Sequence, residues 1–282
     1  QTHWTQNPAG LTPRTGSTPV RGTRFLKKLQ TYSINHNFSL LIDLYSNSVE
    51  GRMETFYTNT DIKTGVPLIL EDQNEVIHAF SSLRIKPGDA VFIINGKGEK
   101  YRTEVIECTK KMLSVLPDEK ILNDQEYSEV RLSVAVSLLN KNSKMKLLIE
   151  KMTELGIYRF IPFVSDRTAF PKMGTESLRP SMISALKQCG GCRDVIISET
   201  LKFSEILKTG DFDHKYFSDI SGAHLPENGI NGNILAVVGP EGGFTDGEKE
   251  EMISAGFVPL RLNRRTLRAE TAAIVTASKF LY

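Results

Sequence analysis

Val238-Gly239-Pro240-Glu241-Gly242-Gly243-Phe244-Thr245 is the stretch that decides the fold. An apolar run, Ile234 to Val238, precedes it, and a helix-compatible acidic run, Asp246 to Ala255, follows. The pattern is a strand, a glycine-rich turn and a helix start. Glycine has no Cβ and tolerates positive φ, so such a turn lets backbone approach a ligand closely. The same residues can also be a tight turn and nothing more. The turn is neither GxGxxG nor GxxxxGK[ST], which argues against a dinucleotide fold and a nucleoside triphosphatase. Glu241 inside it would repel a phosphate, so a ligand without phosphates and with a cationic centre fits better.

Working outward, Arg265-Thr266-Leu267-Arg268-Ala269-Glu270-Thr271-Ala272 opens a further helix, with Arg268 and Glu270 at its mouth. One reading is a solvated ion pair at a helix N-terminus, where glutamate is favoured electrostatically. In the other, Arg268 faces an anionic or electron-rich substrate while Glu270 and Thr271 cap and orient the loop. Arg264, Arg265 and Arg268 form a basic cluster that suits RNA phosphates. Two ligand-ready loops this close in sequence imply one site.

The chain upstream supplies the rest of an α/β pattern. Leu132 to Leu138 is a continuous apolar run suited to a buried parallel strand. Ser143 to Leu155 places Met145, Leu148, Ile149 and Met152 on one helical face, and Gly156 is a natural stop. Strands at Phe160–Val164, Val195–Ile197, Tyr216–Asp219 and Val258–Leu260 alternate with helices such as Glu176–Cys189, whose start is interrupted by Pro180. This alternation predicts a mostly parallel sheet.

Residues 53–122 read as a small β-rich domain. It has a helix at Glu75–Leu83, strands at Ala90–Asn95, Tyr101–Cys108 and Lys111–Leu116, and hairpin chemistry at Asn95-Gly96-Lys97-Gly98. Asn123 to Glu129 is a polar linker before the larger domain, 130–282. Residues 1–52 differ in character. They hold the single tryptophan, Trp4, many turn formers, and six basic residues against two acidic ones. Met53 is the first methionine, so 1–52 is expected to be an expression leader or non-native extension, with a basic RNA-binding arm as the alternative. Ser39 to Tyr45 is apolar enough to pack.

A length of 282 residues allows two domains, and a net charge of +2 does not by itself point to nucleic acid. No apolar run is long enough to span a membrane. Three cysteines, Cys108, Cys189 and Cys192, make no disulfide framework and suggest a reducing, cytoplasmic setting. Cys189 and Cys192 form a formal CxxC without the further ligands zinc needs, so no metal is expected.

These segments together resemble the 16S ribosomal RNA uracil-N3 methyltransferases (the RsmE type) of the SPOUT superfamily. The resemblance covers residues 53–282. It rests on the glycine turn and Leu267–Ala272, on Lys141-Asn142-Ser143-Lys144-Met145, Ile149–Gly156, Ile161-Pro162, Ser165-Asp166-Arg167-Thr168 and Gln188. In the small domain it rests on His78, Leu83-Arg84, Gly88-Asp89, Gly96-Lys97-Gly98 and Tyr101. It implies a trefoil-knotted domain, a PUA-like β-barrel that binds RNA, and a homodimer acting on 16S rRNA in the small ribosomal subunit. It also implies S-adenosylmethionine as cofactor, lined by Gly239, Pro240, Glu241, Gly242, Gly243, Leu262, Leu267 and Thr271. Arg268 and Glu270 are the implied catalytic residues. Lys187 stands where the family has glutamate, and Arg193 does not align with the family's arginine. Asn263 stands where the family has glycine; if that position needs positive φ, asparagine is the next-best residue. A non-catalytic RNA-binding or ribosome-assembly protein, or a SPOUT methyltransferase for another base, are the alternatives.

Overall fold

The computed structural model describes residues 53–123, 130–169, 172–225 and 230–282. The expected leader, 1–52, and nearly all of the expected linker lie outside the described residues.

Five strands build the first sheet. They are β1 (Thr55–Tyr57), β2 (Leu68–Leu70), β3 (Ala90–Ile94), β4 (Glu99–Cys108) and β5 (Leu113–Asn123), in the order β1-β3-β4-β5-β2. Only the β1–β3 pair is parallel. Period-two alternation shapes β4, where Tyr101, Thr103 and Val105 point inward between Arg102, Glu104 and Ile106. Tyr101 and Val105 join Phe56, Val91, Ile93, Leu113 and Val115 in one core. The expected helix is present but short. Helix α1 (Gln73–Ile77) is capped by Asp72, whose carboxylate accepts from the Asn74 N–H at 2.8 Å, and passes into a π-helical turn at His78–Leu83. Strand β5 runs seven residues beyond the segment expected from sequence.

The second sheet is wholly parallel. It contains β6 (Val130–Ser137), β7 (Arg159–Val164), β8 (Ile196–Ile197), β9 (Leu201–Lys202), β10 (His214–Ala223), β11 (Gly232–Val238) and β12 (Val258–Leu260). The order is β12-β10-β11-β6-β7-β8, with β9 also on β7. The apolar run of β6 is buried on both faces, which explains why it shows no alternation. Its Leu132, Val134 and Val136 meet α2 (Asn142–Leu155), α3 (Arg179–Cys189) and α6 (Ala269–Leu281). Ala135 faces the opposite layer of α4 (Phe203–Leu207) and α5 (Asp246–Ser254), with Phe163, Phe217, Val237 and Phe244.

Helix α2 buries Met145, Leu148, Ile149 and Met152, each worth about 1.5–3 kcal/mol relative to exposure. It ends at Gly156, at φ 77°. Pro180 sits at the start of α3, after a 3₁₀ turn at Thr175–Leu178, where its missing N–H costs nothing. No helix among the described residues is long and apolar enough to cross a membrane.

The two sheets meet at a polar joint. The hairpin turn Asn95–Glu99 lies against Cys192–Asp194: Gly98 N–H donates to Cys192 O at 2.9 Å, and Asp194 N–H to Gly96 O at 2.8 Å. Tyr57 Oη donates to Asp194 Oδ2 at 2.7 Å, while Arg179 Nη2 reaches Tyr57 Oη at 2.9 Å and Asn59 Oδ1 at 2.8 Å. A Cβ on Gly96 would stand 2.4 Å from Asp194 Oδ1 and 2.7 Å from Tyr57 Oη. The turn is therefore glycine for a second reason beyond its φ of 70°. Lys187, the departure from the family pattern, pairs with Glu75 of α1 at 2.5 Å and adds a second tie across the joint. Cys192 is fully buried here with Tyr57, Ile94 and Leu186, whereas Cys189 is exposed.

Candidate active site

The carboxyl ends of β10, β11 and β12 and the loop after β7 surround a cavity of about 710 Å³. That is within the range of sites for small ligands, and the edge of a parallel sheet where strand order reverses is where such sites form. The turn after β11 closes through Gly243 N–H to Pro240 O at 2.9 Å. Thr245 and Glu248 then cap α5 reciprocally: Glu248 N–H donates to Thr245 Oγ1 at 3.2 Å and Thr245 N–H to Glu248 Oε2 at 2.8 Å.

Arg167, from the loop after β7, fixes the turn from one side. Its Nη1 donates to Gly242 O at 2.9 Å and to Phe244 O at 3.4 Å. Its aliphatic stem lies 3.3 Å from where a Gly242 Cβ would be. From the other side, Glu241 Oε1 accepts from Asn140 N–H at 3.3 Å and from Lys144 Nζ at 3.1 Å. Burial raises the Glu241 pKa. Its own and the Asn140 backbone N–H groups, with the Lys144 ammonium, outweigh that and hold the carboxyl below its ordinary value. Asp219 follows the same logic: burial is overcome by Ser221 and by Lys249 at 2.9 Å.

Seven of the eight expected cofactor residues line this cavity: Gly239, Pro240, Glu241, Gly242, Gly243, Leu262 and Leu267. Thr271 does not; it is exposed, one residue further along α6. Arg268 and Glu270 both line it. Arg268 is the N-cap of α6 without a side-chain cap bond, and no capping bond from Glu270 or Thr271 orders the loop. Instead Glu270 Oε1 lies 3.7 Å from Lys144 Nζ. The guanidinium groups of Arg264, Arg265 and Arg268 are exposed and form no ion pair among the described residues, so the rim is basic.

Asn263 lines the cavity but does not adopt positive φ; Arg84, at φ 55°, is the one non-glycine residue that does among the described residues. The condition under which asparagine would stand in for glycine's freedom is therefore not met here. Asn263 Oδ1 accepts from Arg264 N–H at 2.7 Å, so its side chain stabilises the turn by a local hydrogen bond instead.

Sequence reasoning did not mark Lys144 or Arg167 as site residues. Both stood in segments of the resemblance, but their partners lie 97 and 75 residues away. Around Leu260, β10 arches so that both Ser218 and Ala223 register with this one residue of β12. A Gly222 Cβ would be 2.4 Å from Pro259 O, so the arch crosses β12 backbone to backbone.

A parallel α/β sheet with a ligand-sized cavity at its switch point and a basic rim defines a small-molecule-binding protein that presents its site to a polyanion. The chain belongs to the RNA methyltransferase family, whose RNA methyltransferase domain it matches over residues 126–281. Residues 70–117 match the RNA methyltransferase PUA domain. It is similar to the ribosomal RNA small subunit methyltransferase E of Rickettsia conorii, 28% identical over 232 residues, 79% of this chain and 93% of that protein. The protein of the same name from Aquifex aeolicus is 27% identical over 232 residues, 80% of this chain and 98% of the other. In fold, the chain resembles the Neisseria gonorrhoeae methyltransferase E bound to S-adenosyl methionine, with a TM-score of 0.72 at 23% identity, covering 80% of this chain and 96% of that one. A probable rRNA-methyltransferase from Porphyromonas gingivalis gives 0.71 at 23% identity, with coverage of 80% and 96%.

Proposed function

We propose that this chain is an S-adenosylmethionine-dependent methyltransferase of small-subunit ribosomal RNA, acting at N3 of a uridine in 16S rRNA. The observation that carries the reading is the single cavity shared by the glycine turn after β11, the segment after β12, and the Arg268–Glu270 entry to α6. The family match and the relatives' names support the RNA substrate. The extent of the resemblance supports a division into an RNA-binding domain, 53–122, and a cofactor domain, 130–282, working as a cytoplasmic homodimer.

The lining fits the cofactor. Carboxylates of Glu241, Glu270 and Asp219 suit a positively charged ligand, while Val238, Leu260, Leu262 and Leu267 offer apolar surface for a base. When bound, S-adenosylmethionine supplies a methyl group on a cationic sulfur. The backbone of Gly239–Gly243 and of residues 262–267 would hold it, with Arg167 keeping the turn in shape. Uracil N3 carries a proton that must pass to water at the exposed rim for attack, and the negative charge left behind spreads over the ring. Arg268, which lines the cavity, is exposed and has no ion-pair partner among the described residues, would stabilise that charge. Glu270 anchors the segment through Lys144. The 53–122 domain would bring the RNA to the rim, so orientation of the uridine contributes alongside charge.

Calorimetry with S-adenosylmethionine tests the first half: binding is expected, and its absence removes the enzyme reading. Mapping methylated uridines in rRNA from a deletion strain tests the second, since an N3 mark that persists assigns the substrate wrongly. Arg268→Ala should keep cofactor binding and lose methyl transfer by about 10²–10³-fold. Near-normal turnover takes Arg268 out of the mechanism.

A further inference from the structure

Lys144 is an unusual cation for its place. It lies in the first turn of α2, where the helix dipole disfavours positive charge. What holds it is a pair of carboxylates from distant segments: Glu241 Oε1 at 3.1 Å and Glu270 Oε1 at 3.7 Å. All three residues line the cavity. The other oxygen of Glu270, Oε2, is buried with no hydrogen-bond partner among the described residues. One ammonium thus serves two carboxylates and leaves part of their acceptor capacity unused. Two anions sharing one cation in a cavity form a site with affinity for a second positive charge.

We infer that Lys144 is the exchangeable counter-ion of the cavity, and that the Glu241–Lys144–Glu270 triad separates a cationic sulfonium donor from its neutral thioether product. This rests on the cofactor reading proposed above. In the ligand-free protein, Lys144 neutralises the carboxylates and ties the glycine turn to the start of α6. A sulfonium ligand brings a positive charge that competes with the ammonium for Glu241 and Glu270. After methyl transfer the sulfur is uncharged, the competition ends, and Lys144 returns to both carboxylates. The carboxylates thereby favour donor over product, which differ by a single methyl group and its charge, and Lys144 limits that preference because the sulfonium must compete with it. Lys144 is a positioning residue that moderates the carboxylates' charge selection; it need not touch the uridine.

The test is calorimetric and independent of turnover. S-adenosylmethionine and S-adenosylhomocysteine are titrated into the full chain, and the ratio of their dissociation constants is the readout. In Lys144→Met, the ratio should rise in favour of the charged ligand by about tenfold, because a competing unit charge has been removed. Lys144→Arg should keep the wild-type ratio. Glu241→Gln together with Glu270→Gln should lower the ratio, and Lys144→Met added to that pair should have no further effect.

An unchanged ratio in Lys144→Met overturns the inference and leaves Lys144 as a structural tie. So does a Lys144→Met effect that persists without the carboxylates, since it would then act through the general field of the cavity. Should Glu241→Gln alone leave the ratio unaltered, the triad is also wrong. Failure of the wild-type protein to bind either ligand is a different result, and it removes the proposed function itself.

Discussion

Two glycine turns in this molecule look alike in sequence and serve opposite ends. Asn95–Gly98 is filled from outside by Asp194 and Tyr57, so the absence of a Cβ at Gly96 allows two layers of the protein to touch. Gly239–Gly243 is gripped at its flanks by Arg167 and Lys144, and all of them line the cavity. A glycine turn reports that something approaches closely. Whether that is the protein itself or a ligand is decided by residues far away in the chain.

The largest expected effect breaks the closed turn. Gly96→Ala adds a Cβ at positive φ that overlaps Asp194, and should cost about 2–4 kcal/mol in urea unfolding. Next, Tyr57→Phe removes the hydroxyl that Asp194 accepts from and Arg179 donates to, leaving a partly buried carboxylate less satisfied. A loss of about 1–3 kcal/mol is expected by the same measurement. At the open turn, Gly243→Ala meets no atom within 4 Å and pays mainly for its φ of 66°, about 1 kcal/mol. A cost as large as that of Gly96→Ala would show that the second turn is packed like the first.

The smallest effect has opposite signs at the two turns. Asp194 has a raised pKa because burial outweighs Tyr57 and Arg179, so its contribution to stability falls as pH rises from 3.8 through the higher folded value. Glu241 has a lowered pKa, so its contribution is complete above 4.5 and is lost as pH drops through the folded value. Asp194→Asn should steepen the rise of stability with pH in the acid range, and Glu241→Gln should flatten it. Slopes that move together would erase the electrostatic contrast.

Local patterns made much of this legible. The uninterrupted apolar run of β6, the one-faced apolar set of α2 with Gly156 behind it, and the strand–turn–helix at Val238–Thr245 each state their backbone conformation directly. The pairing of Arg268 and Glu270 with the glycine turn also followed from sequence, because the two ligand-ready loops lie close together in the chain. What could not be read was contact between distant segments. Gly96 looked like simple hairpin chemistry, since its neighbour Asp194 is nearly a hundred positions on. Lys187 looked like a departure until Glu75 stood opposite it. Whether Asn263 needed glycine's freedom could not be read from sequence; its backbone does not use positive φ, and its side chain accepts from the Arg264 N–H instead.

The crossing at Gly222 has a consequence in time. Ser218 and Ala223 both register with Leu260, and the arch between them passes over β12 with no room for a side chain at Gly222. During synthesis the arch emerges before β12, and Arg268 emerges after both. A nascent chain that ends before residue 268 contains every strand of both sheets, yet it possesses neither Arg268 nor Glu270. Arg268 and Glu270 therefore join the cavity only after every strand of both sheets has been made.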